Sequence, residues 1–272
     1  MKTIKIGKET IDQDHRPFII AEVGVNHNGD VNLAKELVLL AKKSGADAVK
    51  FQYHITEKEM LKNIPHSQNF DKPLWEILEE TNLTLQEQIQ IKNYCDEKGI
   101  TYLCTPFSRE AADILDEEVG VEAFKTGSGE LTNLPLLKHI AKKNKPMIVS
   151  TGMSIIEEIK ETVKLLEKNN AQFALMHVTS AYPTKYEDVN LKMIPKYIEM
   201  FNVPVGLSDH SAGIFAALGS VALGSSILEK HFTLNRMQNG PDHKVSIESN
   251  ELTELVIGSN AIYKSLGETK KI

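Results

Sequence analysis

Eight short apolar runs, rich in β-branched residues and separated by amphipathic stretches, recur along this chain. They are FIIAEVG (18–24), DAVKFQ (47–52), TYLCTPF (101–107), AFKTGS (123–128), PMIVSTG (146–152), FALMHVT (173–179), PVGLSDH (204–210) and SILEKHF (226–232). Runs of this length and composition read as buried strands, and apolar residues three and four apart between them read as helices. Asp30 is placed to cap DVNLAKELVLLAKKSG, which Gly45 ends. Ser154 followed by Glu157 predicts a capping box opening SIIEEIKETVKLLEK, with Ile155, Ile156, Ile159, Val163 and Leu166 as its apolar stripe. Ser249 or Asn250 is the expected start of the last helix, ELTELVIGSNAIYKSLG.

Eight strand–helix units in 272 residues predict an α/β fold, a (β/α)8 TIM barrel forming one domain over 1–272. An open doubly wound sheet is the alternative, but closure leaves no strand edge exposed. Two segments depart from the repeat. TIKIGKETI, around Gly7, predicts an N-terminal β-hairpin plugging one end of the barrel. Residues 56–84, with Pro65, Pro73 and Trp75, form an excursion after the second strand that is expected to shape the active site.

Composition narrows the function classes. A net charge of −6 argues against a general nucleic-acid binder, though it leaves room for a local basic pocket. Cys95 and Cys104 are too few for a disulfide framework, so a reducing cytoplasm is expected. The start, MKTIKIGKETIDQDHRP, has no apolar core of a signal peptide. No apolar run approaches the roughly 18 residues of a membrane span.

Barrel chemistry collects where the strands end. Because side chains alternate along a strand, an inward terminal residue brings in the residue two before it. This pairs Ser208 with His210, Glu229 with His231, Lys50 with Gln52, and His177 with Thr179, while Glu22, Thr105, Lys125 and Ser150 also fall near strand ends. Packing does not explain charged groups at the ends of apolar runs, since a buried charge is costly unless paired. His210 and His231 end consecutive strands, about 4.8 Å apart in a sheet, and two inward imidazoles there can share a metal ion with positions left open for substrate. The alternative is that each is a hydrogen-bonded core residue, and spacing does not separate the two; for His177, one strand earlier, the structural role is the favoured reading. Lys50 and Lys125 read either as anion clamps or as Schiff-base nucleophiles. Ser128, Ser150 and Ser208, near helix N-termini, favour an anion such as phosphate. A purely structural role would pair the lysines with Glu22 and Glu130. GSGE (127–130) and STGMS (150–154) supply tight turns but no nucleotide-binding pattern.

AEVGVNHNGD, VKFQ, TPFS, FKTGSGE, VSTGM, AYPT, GLSDHS, and EKHFT followed by GPDHKVS resemble, in this order, the motifs of the sialic acid synthase family, from about residue 17 to about residue 265. The resemblance implies a barrel enzyme that condenses phosphoenolpyruvate with an N-acylated mannose-type amino sugar. It implies that His210 and His231 hold a divalent cation, Mn2+ or Mg2+. Lys50 and Thr105 would grip the phosphoenolpyruvate carboxylate, and Lys125, Ser128, Ser150 and Ser208 its phosphate. Glu22 would act near the attacking carbon, and Gln52, Tyr182, Glu130 and Asp242 would contact the open-chain sugar. Ser180 stands where the family often has Asn, and it is left out of this set. GPDHKVS resembles the N-acetylneuraminate and legionaminate branches more than the pseudaminate branch. Family members usually carry a C-terminal antifreeze-like domain that reaches the partner barrel in a homodimer. This chain stops at SLGETKKI, where the linker to that domain would begin, so a barrel without it is expected.

Overall fold

The computed structural model describes residues 2–62 and 72–267; Pro65 and the final ETKKI lie outside them. The strands are β1 Ile4–Ile6, β2 Glu9–Ile11, β3 Phe18–Gly24, β4 Ala48–Tyr53, β5 Thr101–Pro106, β6 Phe124–Thr126, β7 Met147–Ser150, β8 Phe173–Val178, β9 Val205–Asp209 and β10 Ile227–His231. The helices are α1 Val31–Lys43, α2 Thr56–Glu59, α3 Leu74–Thr81, α4 Leu85–Lys98, α5 Arg109–Ile114, α6 Leu134–Ala141, α7 Ile156–Lys168, α8 Met193–Phe201, α9 Phe215–Ala222 and α10 Ser249–Leu266. β3 to β10 form a closed parallel barrel in chain order, with β10 pairing β3. Every predicted run supplies one of these strands, so the doubly wound alternative falls.

The strand period of two sorts the core into two clusters. Outward residues such as Val49, Phe51, Leu207 and Leu228 pack with the helices. Inward residues, among them Ile20, Ala48, Leu103, Ala123, Ile148, Ala174, Met176 and Ile227, fill the barrel. β1 and β2 pair antiparallel, and their Ile4, Ile6 and Ile11 join the inward cluster. The hairpin is therefore the expected plug, and each buried isoleucine contributes roughly 1.5–3 kcal/mol.

Helix starts follow the sequence with one correction. Asp30 caps α1 by accepting from the Asn32 and Leu33 amides. α7 begins beyond the predicted Ser154 box: the Ile155 amide donates to Glu158 Oε2 at 2.9 Å. α10 begins at Ser249, as expected, and its cap residue is Glu248, whose amide donates to Glu251 Oε2 at 2.9 Å. A glutamate three residues into each helix serves the first free amide, so the helix starts where that carboxylate reaches back. Within the 56–84 excursion the described parts form α2 and α3. Among the described residues, no helix is long and apolar enough to cross a membrane.

Candidate active site

The C-terminal strand ends open into a cavity of about 940 Å3. Glu22, Lys50, Gln52, Thr105, Lys125, Ser128, Ser150, Tyr182, Ser208, His210, His231 and Asp242 all line it. Glu130 does not: its Oε2 accepts from Asn133 Nδ2 at 2.7 Å on the turn leading to α6. His177 takes the structural role favoured for it. It faces the helices, bonds the Val189 carbonyl at 2.7 Å and meets Tyr197 edge-on. β8 sends Met176 and Val178 inward instead, so the phase expected from His177 and Thr179 is reversed.

The charged centre is built from β3, β4, β6 and β10. Lys50 Nζ is 2.8 Å from Glu22 Oε2 and 3.8 Å from Glu229 Oε2, and Lys125 Nζ is 3.6 Å from Glu229 Oε1. Glu229, not Glu130, is thus the second carboxylate of the lysine network. Its signal in the sequence was its inward phase with His231. Burial opposes ionisation at Glu229, but Lys125 and Lys50 outweigh it and hold the carboxyl down to about 2. Burial wins at Glu22, pushing it up to about 7 against the pull of Lys50. Burial also lowers Lys125 to about 8, whereas at Lys50 the Glu22 and Glu229 charges outweigh it and raise the ammonium above its usual range.

Around this centre lie hydroxyl donors. Lys125 Nζ donates to Ser150 Oγ at 2.5 Å, Lys50 Nζ to Thr105 Oγ1 at 3.3 Å, and Ser208 Oγ to Glu229 Oε1 at 3.0 Å. A Cβ on Gly152 would lie 2.4 Å from Ser180 Oγ and 2.6 Å from Ser128 Oγ, so only glycine lets these hydroxyls converge beside the β7 end. Ser180 also lines the cavity, although sequence reasoning left it out.

On the other side, the His210 and His231 ring centroids are 5.5 Å apart. The residues before them explain the placement. Asp209 and Lys230 point outward and are fully enclosed, 3.2 Å apart, and Lys230 Nζ also donates to the Ser211 carbonyl at 2.6 Å. This outer ion pair ties β9 to β10, so the next residue on each strand faces inward beside its neighbour. Tyr182 stacks on His210 at 4.1 Å and meets His231 edge-on at 5.7 Å.

The imidazoles have the chemistry of a metal pair. His210 Nδ1 bonds the Thr179 carbonyl at 3.0 Å, which makes that nitrogen the N–H and leaves Nε2 its lone pair. His231 Nδ1 is buried, finds no hydrogen-bond partner among the described residues, and lies 3.8 Å from Asp242 Oδ2. Burial lowers His210 to about 4 and His231 to about 3, so both rings are neutral near pH 7. Two neutral nitrogens beside carboxylates fit a borderline divalent cation. Among the described residues, no group of three His, Cys, Asp or Glu side chains is arranged to hold a metal. The chain would therefore supply an incomplete shell, open to ligand oxygens.

The NeuB family profile matches residues 37–271. The chain belongs to the NeuB family. It is 45% identical over its whole length to an uncharacterized protein of Methanocaldococcus jannaschii, covering 78% of that protein. It is 42% identical over 262 residues to the N,N'-diacetyllegionaminic acid synthase of Campylobacter jejuni, with 93% of this chain and 78% of that one covered. Among solved structures it is similar to the N-acetylneuraminic acid synthetase of Leptospira borgpetersenii in complex with citrate, with a TM-score of 0.93 and 34% identity. That match covers 100% of this chain and 92% of the other. Membership agrees with the motif order read along the strand ends.

Proposed function

We propose that this chain condenses phosphoenolpyruvate with the open-chain form of an N-acylated mannose-type sugar, releasing phosphate and forming a nonulosonic acid. One observation carries the reading: two buried ammonium groups and a pair of neutral imidazoles face one cavity, an anion clamp opposite a place for a cation. The named relatives, which include a diacetyllegionaminic acid synthase and a sialic acid synthetase, support the same class.

Lys50 and Thr105 hold the substrate carboxylate, and Lys125, Ser128, Ser150 and Ser208 hold its phosphate. Buried ammonium groups neutralise these anions without reorganising at the moment of reaction. Gln52, Tyr182 and Asp242 orient the sugar, and Glu130, beside the cavity and bonded to Asn133, is the outer sugar contact. His210 and His231 would hold a divalent cation, Mn2+ or Mg2+, which would supply Lewis-acid polarisation of the sugar aldehyde. C3 of the enol phosphate attacks the aldehyde carbon, and the new C–C bond uses the π electrons. Water adds at C2 and loses a proton, and the aldehyde oxygen gains one; the C2 hydroxyl then gives its remaining proton to the departing phosphate as the C2–O bond breaks and the C2 carbonyl forms, the bridging oxygen leaving with phosphate. Glu22, poised near neutrality, both gives and takes a proton at working pH.

The test is phosphate release from phosphoenolpyruvate with N-acetylmannosamine or with 2,4-diacetamido-trideoxymannose, with and without Mn2+. Release that needs both sugar and cation is expected, and its absence with both sugars overturns the reading. Comparing the two sugars tells a C4 hydroxyl from a C4 acetamido preference. The lowered Lys125 ammonium favours a second reading, a Schiff-base aldolase. Borohydride trapping with pyruvate separates the two, because only the aldolase becomes covalently labelled.

A further inference from the structure

Beside Gln52 the cavity wall contains a carboxylate–imidazole pair with no role in the scheme above. His54 follows β4 directly, and Glu59 ends α2. Main-chain bonds fix this short helix: the Lys58 amide donates to Ile55 at 2.7 Å and the Met60 amide to Thr56 at 3.1 Å. Asn82 Nδ2 donates to the His54 carbonyl at 2.8 Å, and the imidazole lies flat on Phe107 with centroids 4.3 Å apart. His54 Nδ1 is 2.7 Å from Glu59 Oε1, and Nε2 is 3.0 Å from Gln52 Oε1. Gln52 Nε2 in turn donates to Glu22 Oε1 at 3.4 Å. Four polar side chains thus run in series from the excursion to the charged centre.

The outer end of this series is not satisfied. Burying a carboxylate is costly unless its oxygens find donors. The Glu59 side chain is only 5% exposed, yet its Oε2 is buried without a hydrogen-bond partner among the described residues. Glu59 lines the same cavity, next to Leu74, Ile77 and Leu78 of the α3 region. A carboxylate oxygen accepts O–H and N–H donors and repels anions, so its ligand is not the phosphate or carboxylate of the enol phosphate. At the inner end, an imidazole N–H directed at Gln52 must meet the amide oxygen, which leaves the amide N–H for Glu22.

We infer that Glu59 binds the acceptor sugar through one of its hydroxyl or amide N–H groups, and that His54 is a positioning residue that fixes the Gln52 amide. This rests on the condensation reading above. The test uses the full chain with Mn2+, N-acetylmannosamine and the diacetamido sugar. Sugar binding is followed by calorimetry, turnover by phosphate release, and folding by far-UV circular dichroism. Glu59→Gln keeps the shape, and Glu59→Ala is the second variant. Both raise KM for the sugar by about 10- to 100-fold, as expected for a lost charged hydrogen bond, while KM for phosphoenolpyruvate stays within about twofold. His54→Ala and Gln52→Ala each lower kcat/KM, and the double variant loses little more than the worse single one. Unchanged sugar KM in folded Glu59 variants, with the wild type releasing phosphate, overturns the subsite and leaves the condensation standing. Losses at His54 and Gln52 that multiply overturn the positioning role. A wild-type chain that binds neither sugar overturns both readings.

Discussion

Lys50 Nζ lies 2.8 Å from Glu22 Oε2 in a pair whose side chains are only 4% and 3% exposed. Breaking such a pair from one side strands a charge in the interior. Lys50→Met removes the partner of Glu22 and one partner of Glu229, and it is expected to cost roughly 3–5 kcal/mol in urea unfolding. Adding Glu22→Gln to that variant restores part of the loss. A double-mutant cycle with coupling near zero would contradict a shared ion pair.

The two imidazoles set the expected metal response. His210→Ala and His231→Ala each weaken Mn2+ binding beyond the roughly 10- to 100-fold seen when only an outer-shell partner is lost. Electron spin resonance of free Mn2+ reads this directly. In the wild type, Mn2+ at about 100 times its Kd adds about 2.7 kcal/mol to stability, and the His variants lack that increment.

Burial holds His27 down to about 4, with His210 and His231 at about 4 and 3. Their folded values lie below the unfolded one, so each contributes stability present above about pH 6.5 and lost as the pH falls through about 4. Each amounts to on the order of 3 kcal/mol by pH 4. Glu22, raised to about 7, works the other way: its contribution is full below about 4.5 and is lost as the pH rises through 7. Three imidazoles outweigh one carboxyl, so unfolding free energy drops between pH 6.5 and 4. His27→Gln flattens that slope, whatever it does to stability at pH 7.

Gly206 makes room at the barrel axis. A Cβ there would lie 2.5 Å from Met176 Sδ and 2.6 Å from both Ile227 Cβ and its carbonyl. Gly206→Ala is expected to cost about 1–3 kcal/mol by overpacking. Met176→Ala relieves only the flexible contact, so the double variant recovers part of the loss. Thermal unfolding of the three variants checks the order.

Much of the barrel was legible because strand and helix periods are local. The eight runs, the hairpin and the Asp30 cap needed only neighbours in sequence. The cavity lining was legible where the alternation phase was read correctly, as at Lys50, Ser208 and the two histidines. The pairing of His177 with Thr179 as an inward set is reversed, because a period of two relates residues on one strand but does not say which set faces the axis. Glu130 stays off the cavity lining for another reason: after the short β6, the chain enters a turn, and Asn133 donates to the carboxylate.

By itself, the sequence determined the strand count, their order and the polar strand ends, since apolar spacing and β-branched content act along the chain. Only the tertiary structure decided that Glu229 stands between two lysines, that Asp209 and Lys230 lock together behind the histidines, and that Glu59 reaches Gln52 through His54. Glu229 and Asp209–Lys230 depend on contacts across strands of a closed barrel, and the His54 chain on an excursion folding back over its own strand. A burial cost that selects charge partners is paid in three dimensions, where separation along the chain gives no guide.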